Sequence, residues 1–212
     1  MNNCFFNGKI LLFKDVKINI NELGLLRAYA VFDYLRTYHG KLFRIDDYLN
    51  RFRNSASQLH LLLKFSDEEI KKYILKLLKN RKNDVGVRLL LTGGYTQDSM
   101  SIEEPNFFIL IEKLFDYPGE IFTKGVKLIT CEFQRFMPQV KTTNYLNAIL
   151  LQPQKQKEKA FEILYHRDGL ISETARNNFF IVKNGMLITP KENILLGITR
   201  KVVLEISRKK KI

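Results

Sequence analysis

The sequence predicts an α+β fold in two domains. Segments with the alternating pattern of strands and segments with helical spacing are mixed along the chain without strict alternation. The stretch "FDYPGEIF" contains a Pro-Gly pair and is the best candidate for a linker. With 212 residues and 45% hydrophobic residues, the chain can bury a substantial core. We therefore expect an N-terminal domain at residues 1–116, a linker at 117–123 and a C-terminal domain at 124–212.

Hairpins and helices account for most of the predicted N-terminal domain. The Asn-Gly pair at 7–8 and the His-Gly pair at 39–40 stand between apolar runs, which is typical of tight hairpin turns. Ser66 and Glu69 form a capping box before "IKKYILKLL". The stretches "VGVRLLLTGG" and "NFFILIEKL" are predicted strands. In "IDDYLNRFRNSASQLHLL", the apolar residues share one helical face: Tyr48, Leu49, Phe52, Ala56 and Leu59.

The second half of the chain begins with a predicted strand in "VKLITCEF". A helix is expected in "TTNYLNAILLQPQKQKEKA", where Pro153 should end or kink the first part. Strands are expected in "FEILYH" and "LISET" around the Asp-Gly pair at 168–169, followed by a hairpin around the Asn-Gly pair at 184–185. A last helix is predicted from about 198 to 206.

The formal charge of +13 raises the question of nucleic-acid binding. Many lysines, however, fall on the polar sides of helices, and no nucleic-acid motif accompanies them. Solvated helix faces are therefore the favoured interpretation, and no nucleic-acid partner is expected. A basic protein can still prefer anionic ligands such as phosphate. The lysines in question are Lys71, Lys72, Lys76, Lys79, Lys155, Lys157 and Lys159.

Composition and end sequences favour a cytoplasmic protein. No apolar run approaches the length of a membrane span, and the N-terminal stretch lacks the layout of a signal peptide. Cys4 and Cys131 are too few for a disulfide framework, and no metal site is expected.

Four features in the sequence have the chemistry that a pyridoxal phosphate site requires. Lys141, in "VKTTNYL", has an amine that can bond to the cofactor aldehyde, and Glu173 ends a strand where a carboxylate needs a partner. Arg51 lies on a helix with an apolar face, and "GITR" starts a helix, where backbone N–H groups favour an anion. Each feature also has an ordinary alternative, namely a surface lysine, a strand-end carboxylate, a snorkelling arginine and a plain helix cap.

The ordered set of motifs resembles the class IV, branched-chain-type aminotransferases, which are fold-type IV pyridoxal phosphate enzymes. "FDYLRTYHGKLFRIDDYLNRF" resembles the F-E-T-hydrophobic-R, N-G and H-L-x-R-L run of that family, and "VKTTNYL" resembles K-x-x-N-Y. "GLISETARNNFFIV" resembles E-x-x-x-x-N-hydrophobic-F, and "LLGITRKVV" resembles L-x-G-I-T-R. The resemblance implies a small N-terminal domain, a larger C-terminal cofactor-binding domain and a homodimer acting on an amino acid and a 2-oxo acid.

The resemblance also implies a role for each matched residue. Lys141 would bond to pyridoxal phosphate and shuttle the proton, Glu173 would face the pyridine nitrogen, and Arg51 would bind the phosphate. Two backbone N–H groups at the helix start would also bind the phosphate, and two further side chains fall in matched positions near the cofactor. The two N–H groups are those of Ile198 and Thr199, and the two side chains near the cofactor are those of Tyr145 and Asn178.

The chain departs from the family pattern at several positions. Tyr48 replaces the usual histidine before the phosphate-binding arginine, and Gly93 stands where many relatives carry arginine. Arg88 is a candidate for binding a substrate carboxylate or, equally, an ordinary strand-end arginine. Relatives continue beyond "GITRKVVLEIS" with strands, a helix and a phosphate-binding loop, so the C-terminal domain is expected to be partial. Three alternatives are open for the final "RKKKI": a frameshift, a shortened chain or a natural end.

Three hypotheses for function follow. The first is an aminotransferase that moves an amino group between an amino acid and a 2-oxo acid. The second is an aminodeoxychorismate lyase-type elimination that gives 4-aminobenzoate and pyruvate. The third is a catalytically silent, truncated form of the fold. An absorbance spectrum with pyridoxal phosphate, before and after addition of an amino donor, separates most of these outcomes.

Overall fold

A computed structural model describes residues 3–211 and divides the chain into two compact units. The first unit comprises the residues up to Phe115 together with Val140–Asn144, and the second comprises Asp116–Gln139 and the residues from Tyr145 on. The chain enters the second unit at Asp116, close to the expected boundary near residue 117, but Val140–Asn144, expected in the C-terminal domain, belongs to the first unit.

Backbone hydrogen bonds explain why Val140–Asn144 joins the first unit. The N–H of Phe32 donates to the carbonyl of Lys141 at 2.9 Å, and the N–H of Thr143 donates to the carbonyl of Ala30 at 3.0 Å. An antiparallel bridge between Val31 and Thr142 lies between these two bonds. The segment therefore continues the pairing of a strand that lies more than 100 residues earlier in the chain.

The first unit is built on one antiparallel sheet of six strands in the order β2-β1-β6-β5-β3-β4. The pairing of β5 with β6 has an irregularity between Thr92 and Tyr95. The six strands are β1 (Asn3–Phe6), β2 (Lys9–Leu12), β3 (Ala30–Tyr38), β4 (Lys41–Leu42), β5 (Val85–Tyr95) and β6 (Glu104–Lys113).

Two tight turns confirm the predicted hairpins of this sheet. Asn7 and Gly8 have φ angles of 43° and 91°, and His39 and Gly40 have φ angles of 50° and 74°. Consecutive positive φ angles are the requirement of the type I′ turn, whose twist matches that of the flanking strands. The β3–β4 turn is further held by Asp84, whose carboxylate accepts the N–H groups of His39 and Gly40, both at 3.0 Å.

Helices cover one face of the six-stranded sheet. The predicted apolar face of the helix that contains Tyr48 is confirmed, because all five of its predicted members are buried. Phe107 of β6 forms aromatic contacts with Phe5, Phe52 and Phe65, at centroid distances of 5.5, 5.9 and 5.6 Å. The helices of this unit are α1 (Leu23–Arg27), α2 (Ile45–Gln58) and α3 (Asp67–Leu78).

The start of α3 confirms the predicted capping box. Ser66 Oγ accepts the N–H of Glu69 at 3.3 Å, and Glu69 Oε2 accepts the N–H of Ser66 at 2.8 Å. The bond from the Ser66 N–H and, after it, the bond from the Ser66 hydroxyl to Oε2 at 2.9 Å lower the pKa of Glu69. Residues Ile70, Ile74 and Leu77 are buried, so the lysines of α3 lie on its polar side as predicted.

The second unit contains a three-stranded sheet and a separate two-stranded hairpin. In the order β7-β8-β9, the first pair is parallel and the second antiparallel, whereas β10 and β11 pair with each other. The strands are β7 (Leu128–Glu132), β8 (Glu162–Arg167), β9 (Leu170–Thr174), β10 (Ile181–Lys183) and β11 (Met186–Ile188). The helices are α4 (Glu120–Lys124), α5 (Leu146–Leu150), α6 (Gln152–Lys157) and α7 (Ile198–Lys210).

The helices of this unit follow the sequence pattern with small differences. Pro153 lies in the first turn of α6, where its missing N–H breaks no helical bond, so α5 ends before it as expected. The predicted linker overlaps the short helix α4, and α7 extends to Lys210, beyond the predicted end. Within residues 3–211, no helix combines the length and the apolar character needed to cross a bilayer.

Candidate active site

Lys141 lies against the edge of β3 in the first unit. Its N–H donates to Ser55 Oγ of α2 at 3.1 Å, and its carbonyl accepts the N–H of Phe32. Directly paired residues of an antiparallel ladder project to the same face, so the side chain of Lys141 follows that of Phe32. Accordingly, Lys141 Nζ lies 4.4 Å from the centroid of the Phe32 ring. The amine is therefore held over an aromatic ring on one defined face of the sheet.

Arg51 of α2 turns inward, as predicted. Its Nε and Nη2 donate to the two carboxylate oxygens of Asp33 on β3 at 2.9 and 2.6 Å. The side chain of Arg51 is 12% exposed and that of Asp33 is fully buried. The ring of Tyr48, the residue that departs from the family histidine, lies 5.3 Å from the Arg51 guanidinium carbon. Asp33 therefore fixes the orientation of the guanidinium with two parallel charge-assisted bonds.

Helix α2 links Arg51 to Lys141 within the first unit. Ser55, which accepts from the Lys141 N–H, is one helical turn after Arg51, and residues four apart lie on the same helical face. The sequence did not reveal Asp33 or Ser55 as partners. The available signal for Asp33 was a charged residue in the alternating run "FDYLRTY", at a position on the helix-covered face of the strand.

Glu173 is the penultimate residue of β9 in the second unit and is 5% exposed. Its Oε1 accepts two bonds from Arg135, from Nε at 2.9 Å and from Nη2 at 2.7 Å. Its Oε2 accepts the N–H of Leu195 at 3.0 Å and Asn178 Nδ2 at 3.2 Å. The expected need for a partner is thus confirmed, since a buried carboxylate requires hydrogen bonds and an opposite charge. The sequence did not identify Arg135 as that partner.

Asn178 joins this carboxylate to the start of α7. The same Nδ2 that contacts Glu173 donates to the carbonyl of Leu195 at 2.8 Å, and Gly197 is the N-cap residue of α7. A Cβ at Gly197 would lie 2.1 Å from Asn178 Oδ1, so only glycine fits without displacing the amide. Ile198 is buried and Thr199 is exposed.

The N-terminus of α7 has the character of an anion-binding position. The N-cap residue, Gly197, makes no side-chain capping bond to the helix. The first N–H groups of a helix lack intrahelical acceptors and carry its positive dipole end. The predicted location of Ile198 and Thr199 at a helix start is therefore confirmed.

Arg200 holds α7 to the segment that follows β11. Its Nη2 donates to the carbonyl of Pro190 at 2.9 Å, and its Nε approaches Thr189 Oγ1 at 3.4 Å. Burial lowers the pKa of Arg200. Because these bonds engage the guanidinium, Arg200 fixes the position of the helix start.

Tyr145 is the N-cap residue of α5, and its carbonyl accepts the N–H of Ile149 at 3.0 Å. Its ring is half-buried.

Arg88 lies inside β5 rather than at a strand end. Its Nε and Nη2 donate to the two carboxylate oxygens of Glu112 at 2.5 and 2.9 Å, and about a third of each side chain is exposed. The guanidinium carbon lies 5.3 Å from the ring centroid of Phe32 and 5.2 Å from that of Tyr34. Whether Arg88 binds a substrate or is an ordinary surface arginine therefore depends on its ion pair with Glu112.

The donor set of each unit fits part of pyridoxal phosphate. The first unit offers an amine at Lys141 and an oriented guanidinium at Arg51. The second unit offers a buried carboxylate at Glu173, joined through Asn178 to the start of α7. At the N-cap of that helix, Asn178 leaves no room for a side chain larger than that of Gly197. A cationic pyridine nitrogen matches a carboxylate, and a phosphate matches an arginine and helix N–H groups. Nowhere in the described residues do three or more His, Cys, Asp or Glu side chains form a possible metal site.

Comparison with known proteins gives a consistent result. The family described as amino-transferase class IV matches residues 30–212. A D-alanine aminotransferase of Staphylococcus epidermidis is 30% identical over 96% of this chain and 74% of its own length. A putative branched-chain-amino-acid aminotransferase of Methanocaldococcus jannaschii is 32% identical, again over 96% of this chain and 74% of its own length.

Solved structures of similar proteins support the same fold. The branched-chain aminotransferase from Thermoproteus uzoniensis, solved with norvaline, matches 99% of this chain and 75% of its own with a TM-score of 0.89 and 24% identity. The Escherichia coli branched-chain amino acid aminotransferase matches all of this chain and 75% of its own with a TM-score of 0.88 and 22% identity. The chain thus spans about three quarters of the length of these relatives, and its predicted two-domain fold-type IV architecture is confirmed.

Proposed function

Since the chain belongs to the class IV aminotransferases, we propose that Lys141, Arg51 and Glu173 carry the transfer of an amino group between an amino acid and a 2-oxo acid with pyridoxal 5′-phosphate. The observation that supports this most directly is the buried Glu173 carboxylate, joined through Asn178 to the start of α7. When bound, the cofactor supplies an aldehyde that takes up the amino group and a ring that withdraws electrons.

Lys141 is the proposed catalytic residue. Its amine would hold the cofactor through the aldehyde, and its Nζ would be the base that moves the proton of the substrate α-carbon. The Phe32 ring, 4.4 Å from Nζ, restricts the amine to one face of the sheet. Backbone bonds from Phe32 and to Ser55 fix the base of the side chain. A positioned amine lowers the entropic cost of the proton transfer.

Glu173 is the proposed partner of the ring nitrogen. Arg135 and the N–H donors of Leu195 and Asn178 stabilise its ionised form. An ionised carboxylate holds a proton on the nitrogen that faces it, which maintains the electron-withdrawing character of the ring.

Arg51 and the start of α7 are the proposed phosphate ligands. Asp33 engages Nε and Nη2 of Arg51 and so orients the guanidinium, and a phosphate would be bound from the other side of its planar group. The N–H groups of Ile198 and Thr199 add donors at the positive end of a helix. Tyr145 and Asn178 are proposed to lie near the cofactor, Asn178 by holding Glu173.

Covalent labelling tests the role of Lys141. The purified protein is saturated with pyridoxal phosphate, reduced with borohydride and digested for peptide mapping, and we expect the label on Lys141. Lys141→Ala should abolish the label and the amino transfer, whereas Lys183→Ala, at an exposed lysine of β10, should retain both. Label at a different lysine, or bound cofactor without any label, would contradict the assignment.

The reaction type is tested by half-reactions. An amino acid donor should convert the aldehyde form of the cofactor to its amine form, and a 2-oxo acid should reverse the change, both followed by absorbance. Release of pyruvate and 4-aminobenzoate from aminodeoxychorismate, without conversion by any amino donor, would favour the lyase. Bound cofactor with neither activity would favour a silent protein.

The proposed assembly is a homodimer, as in the resemblance on which the roles rest. Light scattering should then give a mass of about twice the 25.0 kDa of the chain. A monomer mass with full cofactor occupancy would contradict this assembly.

A further inference from the structure

A serine of α2 holds the backbone from which the Lys141 side chain projects. The N–H of Lys141 donates to Ser55 Oγ at 3.1 Å, and the carbonyl of Lys141 accepts the N–H of Phe32 at 2.9 Å. The pairing with β3 continues at Thr143, whose N–H donates to the carbonyl of Ala30 at 3.0 Å. The peptide group before Lys141 is therefore fixed to α2, and the peptide group after it is fixed to β3.

Ser55 lies at a position where a hydroxyl group needs a partner. It is fully buried on the side of α2 that also contains Tyr48, Phe52 and Ala56. A hydroxyl removed from water costs free energy unless it is hydrogen-bonded, and serine favours a helix interior less than alanine does. Alanine would have nearly the same size at this position. The bond from the Lys141 N–H is thus the feature that distinguishes serine from alanine here.

The same helix and the same strand also hold Arg51, the proposed phosphate ligand. Asp33 of β3, next to Phe32 in the chain, accepts from Nε and Nη2 of Arg51. Arg51 and Ser55 are one turn apart on α2, which is about 6 Å along the helix axis. Two connections therefore join α2 to β3: the ion pair of Arg51 with Asp33, and the backbone of Lys141. A shift of α2 along β3 would disturb both.

The amine of Lys141 depends on these backbone bonds because it is far from them. A flexible stem of four carbons separates Nζ from the backbone, so a small rotation of the peptide group becomes a larger displacement of the amine. A displacement of about 1 Å at a reacting group can slow a reaction on the order of a hundredfold. The Phe32 ring, 4.4 Å from Nζ, limits the amine on one side only. Fixed peptide groups before and after Lys141 therefore matter for the position of Nζ.

We propose that Ser55 is a positioning residue for Lys141, because its hydroxyl fixes the peptide group before the lysine and thereby the direction in which the amine is presented. Lys141 is the reacting amine of the proposed amino-transfer function, on which this inference rests. Ser55 acts through Lys141 and is not itself a catalytic residue. Its loss should slow reactions at Nζ and leave phosphate binding nearly unchanged, since the ion pair of Arg51 with Asp33 stays intact.

Ser55→Ala, which removes the hydroxyl at nearly constant size, is compared with Ser57→Ala at an exposed serine of the same helix. Hydrogen exchange of the lysine amides is measured first, by NMR on the full chain with isotopically labelled lysine, before pyridoxal phosphate is added. The amide of Lys76, inside α3, is the internal reference for opening of the whole unit. Labelling of Lys141 by pyridoxal phosphate and borohydride is then followed as an initial rate and located by peptide mapping.

In Ser55→Ala, the Lys141 amide should exchange roughly tenfold faster relative to the Lys76 amide, which is the factor that corresponds to one typical hydrogen bond. The initial rate of labelling at Lys141, and the rate of the half-reaction with an amino donor per bound cofactor, should each fall about tenfold. The dissociation constant of pyridoxamine phosphate, which has no aldehyde for the lysine, should change by less than about twofold. Ser57→Ala should match the unchanged chain in every measurement.

Faster exchange of the Lys141 and Lys76 amides by the same factor in Ser55→Ala would indicate a general loss of stability and would overturn the proposal. Unchanged exchange at Lys141, or faster exchange there without slower labelling, would overturn it as well. The proposed function fails separately: if the unchanged chain is labelled at another lysine, or at none, Lys141 is not the reacting amine. If the unchanged chain is labelled at Lys141 and Ser55→Ala is labelled equally fast, only the positioning inference fails.

Discussion

The two units contain the same kind of hairpin turn, but the sheets to which these hairpins belong differ in size. The Asn-Gly turn at 7–8 forms a hairpin whose first strand also pairs with β6, within a sheet of six strands. The Asn-Gly turn at 184–185 forms a hairpin that, within residues 3–211, belongs to a sheet of only two strands. A two-stranded hairpin is marginal by itself, because it buries little apolar surface and leaves two edges unpaired.

The burial of apolar side chains shows the same contrast. Most of the buried apolar residues belong to the first unit, including Phe5, Phe52, Leu89 and Phe107. In the second unit, a groove of about 900 Å³ lies between β9 and the β10–β11 hairpin. Large apolar side chains on its walls are 41–76% exposed, among them Leu170, Ile171, Ile181 and Ile188. The first unit is thus organised by an apolar core, whereas the second has an apolar surface without a cover among the described residues.

Polar interactions organise the part of the second unit that contains Glu173, the proposed partner of the cofactor ring. Glu173 accepts bonds from a guanidinium, an amide and a backbone N–H, and these partners come from three separate stretches of the chain. Such a network fixes geometry, but its net stabilisation is smaller than its number of bonds indicates. We therefore expect substitutions in the apolar core of the first unit to affect stability most, and substitutions around Glu173 in the second unit to affect cofactor binding more than stability.

The largest stability effect is expected for Phe107→Ala in the first unit. The ring is 2% exposed and contacts three other aromatic rings, so truncation should lower the free energy of unfolding by about 3–5 kcal/mol. Val182→Ala in β10, where the side chain is 73% exposed, should change it by less than about 0.5 kcal/mol. Urea unfolding followed by circular dichroism gives both values. Equal losses for the two variants would remove the contrast between the units.

The next largest effect is expected from covering the groove of the second unit. A hybrid chain is made by adding the C-terminal quarter of the D-alanine aminotransferase of Staphylococcus epidermidis, a relative of which this chain matches 74%. Covering two large aliphatic side chains contributes about 3 kcal/mol. We expect higher thermal stability, tighter cofactor binding and less fluorescence of an apolar dye. The control carries the same added segment in scrambled order.

If the 212-residue chain already binds pyridoxal phosphate as tightly as the hybrid and melts no lower, the groove needs no cover for function.

Removing Arg135 should have a smaller effect on folding and a clear effect on cofactor binding. Arg135→Met deprives the buried Glu173 of its cation, at a cost of about 2–3 kcal/mol. Arg176→Met is the matched control, because Arg176 pairs with the buried Glu162 at 3.1 Å but is itself 57% exposed. We expect weaker pyridoxal phosphate binding only for Arg135→Met, measured by absorbance titration. If Arg135→Met binds pyridoxal phosphate with unchanged affinity, the proposed role of Glu173 in cofactor binding is contradicted.

The sequence predicted those features whose causes lie within a few residues. The turns at 7–8 and 39–40, the capping box of Ser66 and Glu69 and the break near Pro153 are all local, and all are confirmed. The buried face of α2 was also predictable, since helical spacing alone identifies it.

Features that depend on distant pairing were not predictable from one sequence. Lys141 belongs to the first unit because its segment pairs with β3, and no local signal distinguishes that pairing from others. Arg135 and Glu112 were missed for the same reason, because their partners are 38 and 24 residues away. A buried carboxylate needs a cationic partner, but its position in the sequence does not indicate which of the 35 Lys and Arg residues is that partner.

The smallest effect concerns the β3–β4 turn of the first unit and its dependence on pH. Hydrogen bonds lower the pKa of Asp84, the bond from the Gly40 N–H most, followed by those from Thr37 and His39. A carboxylate with a lowered pKa stabilises the fold above its ordinary titration range, near pH 4, and loses this contribution as the pH falls through the lowered value. Asp84→Asn should therefore melt below the unchanged chain at pH 7, and the difference should shrink only below about pH 4.

Hydrogen exchange at the Gly40 amide locates the effect within the first unit. Exchange should be faster in Asp84→Asn at pH 7, whereas the amides of the β10–β11 turn, which contains no comparable carboxylate bond among the described residues, should exchange as in the unchanged chain. Asp116→Asn, at an exposed carboxylate of the second unit, is the matched control and should change neither site. A melting difference for Asp84→Asn that stays constant down to about pH 2 would contradict this prediction. The protonated and ionised carboxyl groups of Asp84 would then stabilise the turn equally, so the charge would not be the cause.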